Sequence, residues 1–124
     1  MTHSLQVLIV DDEKHVGDSL QEHLLAKGIS VKAVTQVQDA IRIVKKDQPA
    51  LAFVDIFLPE LDGFDLAEEI FIHCPSCKII LMSGIYDFNE SHLKHLGFED
   101  FIKKPLNFQE VDMLVEKYKL RNTR

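Results

Sequence analysis

Five side chains are of types that could act together: Asp11 and Asp12, Asp55, Ser83 and Lys104. Each lies at, or just past, the end of a short apolar run. Three carboxylates brought to one place repel one another unless a cation neutralises them, and oxygen-only ligands suit a hard ion such as Mg2+. Magnesium keeps several waters and often completes its octahedron with phosphate oxygens, so such a cluster can hold an ion and a phosphoryl group together. A carboxylate can also be the acceptor, forming an aspartyl phosphate. Asp55 is the natural candidate because it stands alone after its run. Phosphoryl transfer asks for positioning and charge neutralisation more than for covalent chemistry from the protein. Lys104 can neutralise one phosphoryl oxygen and Ser83 can donate a hydrogen bond to another.

Whether these residues meet depends on the elements that carry them. Residues 5–10 are nearly all apolar, as in a strand buried on both faces. Val16, Leu20 and Leu24 then recur as a helical stripe that Gly28 can close. Ile29, Val31 and Ala33 alternate with Ser30, Lys32 and Val34, the pattern of a strand less completely buried than the first, at a sheet edge. Thr35 and Gln38 have the spacing of a capping box before a helix with Val37, Ala40, Ile41 and Val44 inward, stopped near Pro49. A third strand at 51–54 ends at Asp55, and a loop with Pro59 and Gly63 leads to a helix at 64–73. A fourth strand covers 79–82, ending at Ser83 and Gly84, with a short helix at 88–96 closed by Gly97. The last strand is placed at 98–102. Asn107 and Glu110 cap a final helix with Phe108, Val111, Leu114, Val115 and Tyr118 inward.

Five strand-helix units predict an α/β fold, a doubly wound parallel sheet with helices on both faces. Ligands in such folds bind outside the carboxyl ends of the strands. Those ends carry Asp11 and Asp12, Asp55, Ser83, and Lys103-Lys104-Pro105.

In order, these residues resemble the receiver domains of bacterial response regulators. The likeness rests on Val10-Asp11-Asp12-Glu13, on Asp55 through Pro59 to Gly63, on Met82-Ser83-Gly84, and on Lys104-Pro105 with the preceding Gly97-Phe98-Glu99-Asp100-Phe101. It covers essentially the whole chain, residues 1–124, as one domain. The resemblance implies a flavodoxin-like strand order 2-1-3-4-5, an order associated in general with this family, and a cis Lys104-Pro105 bond. It implies Asp55 as phosphoacceptor and a Mg2+ site made of Asp12, binding directly, Asp11, mainly through water, Asp55, and the backbone carbonyl of Phe57. Ser83 and Lys104 assist transfer, and Ser83 and Phe101 act as the switch. Phe57 and Ile85 flank the water path and tune dephosphorylation. The implied partners are a sensor histidine kinase or histidine phosphotransfer protein, and a downstream effector domain or partner that reads the helix 4, strand 5, helix 5 face; a phosphorylation-dependent dimer is also compatible. On this reading the domain is not an enzyme for external substrates, but assists its own phosphorylation and dephosphorylation.

Taken singly, each feature has a plainer explanation. Acidic residues before a helix favour its dipole, Asp55 could serve a turn, Ser83 a cap, Lys104 a solvated surface, and Phe101 the core. Their order at one sheet edge separates the two accounts. The rivals are an unphosphorylated receiver-like interaction module and a haloacid dehalogenase-like phosphatase. The latter needs a second acid two residues after its acceptor, where Phe57 stands. Met82-Ser83-Gly84 lacks the glycine pattern of a serine hydrolase elbow. Cys74-Pro75-Ser76-Cys77 has redox-motif spacing but falls between a helix end and a strand start, away from the carboxyl edge, and reads as a turn. With His73 it offers three zinc ligands, one short of a structural site, and His92 and His95 read as solvated.

The chain's 124 residues suit one domain with its own core, and 46% hydrophobic with 27% charged residues is ordinary for a globular protein. A formal charge of −6 offers nucleic acid no general attraction. No apolar run reaches membrane-spanning length and no signal peptide opens the chain, so no membrane association and a cytoplasmic address are expected.

Overall fold

Uninterrupted aliphatic runs such as Val7-Leu8-Ile9-Val10 satisfy both faces only in the middle of a layered fold, and that is where the computed structural model puts them. The structure describes residues 5–84 and 89–118. The elements run β1 (Val7–Val10), α1 (Lys14–Leu25), β2 (Val31–Val34), α2 (Val37–Asp47), β3 (Leu51–Asp55), α3 (Gly63–His73), β4 (Lys78–Ser83), α4 (Glu90–His95), β5 (Asp100–Lys103) and α5 (Phe108–Lys117). The strands form one parallel sheet in the order β2-β1-β3-β4-β5, as the resemblance implies. β2 is the half-buried edge strand that its alternation predicts.

Side chains alternate across each strand, so the sheet feeds two cores. Leu8, Val10, Ala52 and Val54 pack under α2 and α3, with Leu93 of α4. Val7, Ile9, Phe53 and Ile80 pack under α1 and α5, against Leu20, Leu24 and Val111. Phe53 is fully buried, and burial of a side chain of that size contributes about 1.5–3 kcal/mol.

Several boundaries differ from the sequence reading. The capping box at Thr35 and Gln38 does not form: α2 begins one residue later, with Gln36 at the N-cap and no side-chain capping bond. That phase turns Val37, Ala40 and Val44 into the core, and burial of the apolar stripe outweighs the cap. The helix ends at Asp47 with Gln48 in the left-handed region at φ 49°, before Pro49. β5 starts at Asp100 rather than at 98, because Phe98 leaves the strand line to pack edge-on against Phe64, with ring centroids 5.6 Å apart. β1 starts at Val7 rather than at 5, and α3 begins at Gly63, capped by the Asp62 carboxylate accepting from the Asp65 N–H at 2.9 Å.

Other signals hold. Gly28 and Gly97 adopt positive φ, 83° and 97°, just after α1 and α4. The Asn107 side chain accepts from the N–H groups of Gln109 and Glu110 at 2.8 and 3.2 Å. The short fourth helix covers Glu90–His95 behind an Asn89 cap, and its expected start at Phe88 falls outside the described residues. The Lys104-Pro105 peptide bond is cis.

Candidate functional site

Sheet register assembles the site. Val10 pairs with Val54, which sets Asp11 level with Asp55. Asp55 pairs with Met82, placing Ser83 one residue further, and Ser83 pairs with Lys103, so Lys104 emerges beside it. Four adjacent strands therefore deliver their polar ends to one edge. Among the described residues, Asp11, Asp55 and Ser83 are the buried polar ones in an otherwise apolar interior, while Asp12 is exposed beside them.

Two backbone groups fix the carboxylates. The Glu13 N–H donates to Asp11 Oδ1 at 2.9 Å, and the Phe57 N–H reaches Asp55 Oδ1 at 3.4 Å. Lys104 Nζ lies 2.7 Å from Asp11 Oδ2, 3.3 Å from Glu13 Oε1 and 3.5 Å from Asp55 Oδ2. The contact with Asp11 is an ion pair in distance, yet Oδ2 makes no hydrogen bond of acceptable angle. Burial would lower the Lys104 pKa, but Asp11, Asp55 and Glu13 outweigh it and hold the ammonium above its ordinary value. Asp55 is pushed up from 3.8 to about 6, first by burial and then by the neighbouring Asp11 charge, against the opposing pull of Lys104.

One oxygen from each of Asp11, Asp12 and Asp55 can be gathered within 4.8 Å of the others. A buried Asp11 oxygen without a hydrogen bond and an all-oxygen donor set fit a hard divalent cation. No second cluster of this kind occurs among the described residues.

Gly63 seals the loop after Asp55. Its N–H donates to Ile56 O at 2.8 Å, and an added Cβ would stand 2.7 Å from both Asp55 O and Ile56 Cα. Phe57, two residues past Asp55, is 49% exposed at the rim. Phe101 is half-buried against the α2–α4 core. Ile85 lies outside the described residues. Sequence reasoning gave Glu13 no role. Its partner is 91 residues away, so no local spacing announces the contact.

The remaining motifs fall elsewhere. Cys74 and Cys77 are free and buried before β4, and the Cys77 N–H donates to Cys74 O at 3.0 Å, closing the expected turn. Burial pushes the Cys77 thiol up to about 12, which suppresses the thiolate a redox motif requires. His73 lies 3.6 Å from Glu69, and His92 and His95 are exposed. Among the described residues no helix is long and apolar enough to cross a membrane.

Fold and site define a doubly wound α/β domain with an acidic pocket, flanked by Lys104, at its carboxyl edge. The profile of the response regulator receiver domain matches residues 7–116, and the chain belongs to that family. It is 32% identical over 108 residues to "Regulatory protein VanRc" of Enterococcus gallinarum, covering 87% of this chain and 47% of that protein. It is 28% identical over 118 residues to "Transcriptional regulatory protein RprY" of Bacteroides fragilis, covering 94% and 50%. The chain thus spans about half the length of these relatives. A two-component response regulator from Clostridium difficile superposes with a TM-score of 0.85 at 27% identity, over 94% of this chain and 96% of that one.

Proposed function

We propose that this receiver domain, taken as one unit over residues 1–124, is a phosphoacceptor switch in which Asp55 receives a phosphoryl group from a histidine kinase or histidine phosphotransfer protein. The observation that carries this is the placement of Asp55. It is buried at the end of a central strand, with Asp11 and Asp12 oxygens within cation-sharing distance and Lys104 Nζ at 3.5 Å.

Asp11, Asp12, Asp55 and the Phe57 carbonyl would hold Mg2+. Once bound, the ion supplies positive charge against both the carboxylates and the phosphoryl oxygens. The residues of the chain do the rest. Lys104, 3.5 Å away, favours the ionised carboxylate of Asp55, the form that attacks phosphorus. A P–O bond to Asp55 forms as the P–N bond to the donor histidine breaks, leaving that imidazole with the electron pair. Lys104 neutralises one phosphoryl oxygen and Ser83 hydrogen-bonds another, both from neighbouring strand ends. A cleft of about 470 Å3 beside Lys104, lined by Val16, Pro105 and Phe108 among others, offers the donor an approach.

The output is a population shift. Ser83 moves toward the phosphoryl group, Phe101 turns inward, and the face of α4, β5 and α5 presents a different surface to an effector domain or partner. The protein would work in the cytoplasm.

Incubation with Mg2+ and acetyl phosphate should add one phosphate, with acetate leaving, and Asp55→Asn should abolish it. Full labelling of Asp55→Asn at the original rate would reject the acceptor assignment.

A further inference from the structure

Lys104 Nζ faces three carboxylates, and Glu13 is the one of them outside the candidate cation set. Asp11 and Asp55 are claimed twice, by the ammonium in this structure and by a divalent ion in the proposed function. Two cations cannot share those oxygens without strong repulsion. Asp11 and Asp55 can turn to a dication only if the ammonium has another partner.

Glu13 is built to be that partner. It is the N-cap residue of α1, yet its side chain makes no capping bond and reaches Lys104 instead, at 3.3 Å. Its own N–H donates to Asp11 Oδ1 at 2.9 Å, so one residue both aims Asp11 and holds the ammonium beside it. The Lys104 side chain is 16% exposed, leaving little water to receive a displaced charge, whereas that of Glu13 is 55% exposed and free to follow it.

We infer that Glu13 is a positioning residue that takes Lys104 off Asp11 and Asp55 when these engage a divalent cation, and so sets the affinity of the pocket for that ion. The inference rests on the proposed cation site and assigns Glu13 a part in it. Without Glu13 the ammonium stays on the two shared carboxylates and competes with the ion. A plain through-space attraction between the Glu13 charge and the ion would also strengthen binding, but it would not depend on Lys104.

A double-mutant cycle separates the two. Mg2+ affinity is measured by calorimetry, and Mn2+ affinity by electron paramagnetic resonance, on wild type, Glu13→Gln, Lys104→Met and the double variant. Each variant must first melt cooperatively, with Lys104→Gln replacing Lys104→Met if the latter does not. Glu13→Gln should weaken binding about three- to tenfold in the wild-type background. Lys104→Met should tighten it. With Lys104→Met present, Glu13→Gln should then change affinity by less than about twofold. An equal loss in both backgrounds, or no loss in the wild-type background, overturns the role of Glu13. In either case a wild type that binds Mg2+ and is labelled at Asp55 leaves the receiver function standing, whereas a wild type that binds neither ion removes both.

Discussion

Phe57 and Gly63 shape the surroundings of Asp55, and the Phe57 N–H also helps to hold its carboxylate. Hydrolysis of an aspartyl phosphate needs water in line with the bond to Asp55, and the receiver resemblance implies a tuning role there for Phe57 and for Ile85, which lies outside the described residues. Phe57 is a half-exposed ring on the residue whose N–H reaches Asp55 Oδ1, and neither a phenyl ring nor an isoleucine can orient water. The phosphate should therefore be long-lived. Polar replacements, Phe57→Asn and Ile85→Lys, should speed its loss about tenfold each, the equivalent of about 1.4 kcal/mol of barrier per site. Decay of labelled phosphate checks this, and a wild type that decays as fast as the double variant rejects it. Gly63 acts on the backbone. In Gly63→Ala the new Cβ would need the space held by Asp55 O and Ile56 Cα, neither of which can swing away as a side-chain tip could. The loop must shift, at a cost of about 1–3 kcal/mol, carrying Phe57 with it. Both the urea midpoint and the labelling rate at Asp55 should fall; an unchanged rate would show that the loop does not position the acceptor.

Between elements, α1 and α5 are tied by a polar clasp over the apolar contact. His23 Nε2 lies 2.8 Å from Asp112 Oδ1 and Lys27 Nζ lies 3.3 Å from Oδ2, while the His23 ring stacks on Phe108 at 4.3 Å. Burial nudges the Asp112 pKa upward, but His23 and Lys27 outweigh it and hold the carboxyl below its ordinary value. A depressed carboxyl pKa stabilises the fold above the unfolded-state pKa, near 4, and that contribution disappears as pH falls through the folded value. Asp112→Asn should thus lose stability at pH 7, by less than about 1 kcal/mol for so exposed a pair, and should match wild type near pH 2. Equal urea midpoints at pH 7 would show that the clasp contributes nothing. None of this clasp was legible in the sequence, where His23 and Asp112 are 89 residues apart. What was legible followed from burial: uninterrupted apolar runs marked β1 and β3, alternation marked the edge strand β2, and the carboxyl-edge rule then placed Asp11, Asp55, Ser83 and Lys104 together. Where local chemistry competed with packing, packing won, as at Thr35, whose capping box was overruled by burial of Val37, and at Phe98, which left its strand for Phe64. The sequence offered capping signals that such contacts can override, and Glu13 offered none at all.

For the molecule as a whole, the pocket should reduce stability until it is filled. Asp55 is raised from 3.8 to about 6, first by burial and next by Asp11, so the folded protein holds that proton to higher pH than the unfolded chain does. For a carboxyl shifted upward, stability is greatest below the unfolded pKa, declines between about 4 and 6, and stays reduced above. A rise of that size corresponds to about 3 kcal/mol. Asp55→Asn removes the charge while keeping the shape. At pH 7 it should melt higher than wild type, by about 4 °C for each kcal/mol recovered, and the advantage should shrink toward zero near pH 4. Comparing the two proteins at each pH cancels the titration of groups they share. Divalent cation should act in the opposite sense, because a ligand that binds only the folded state adds about 2.7 kcal/mol at a hundredfold excess over its Kd. Saturating Mg2+ should therefore raise the wild-type melting temperature by several degrees and Asp55→Asn by much less, closing the gap between them. An Asp55→Asn protein that melts below wild type at pH 7 without Mg2+ would mean that Lys104 more than compensates the buried charge, and that the apo pocket stabilises the fold instead of straining it.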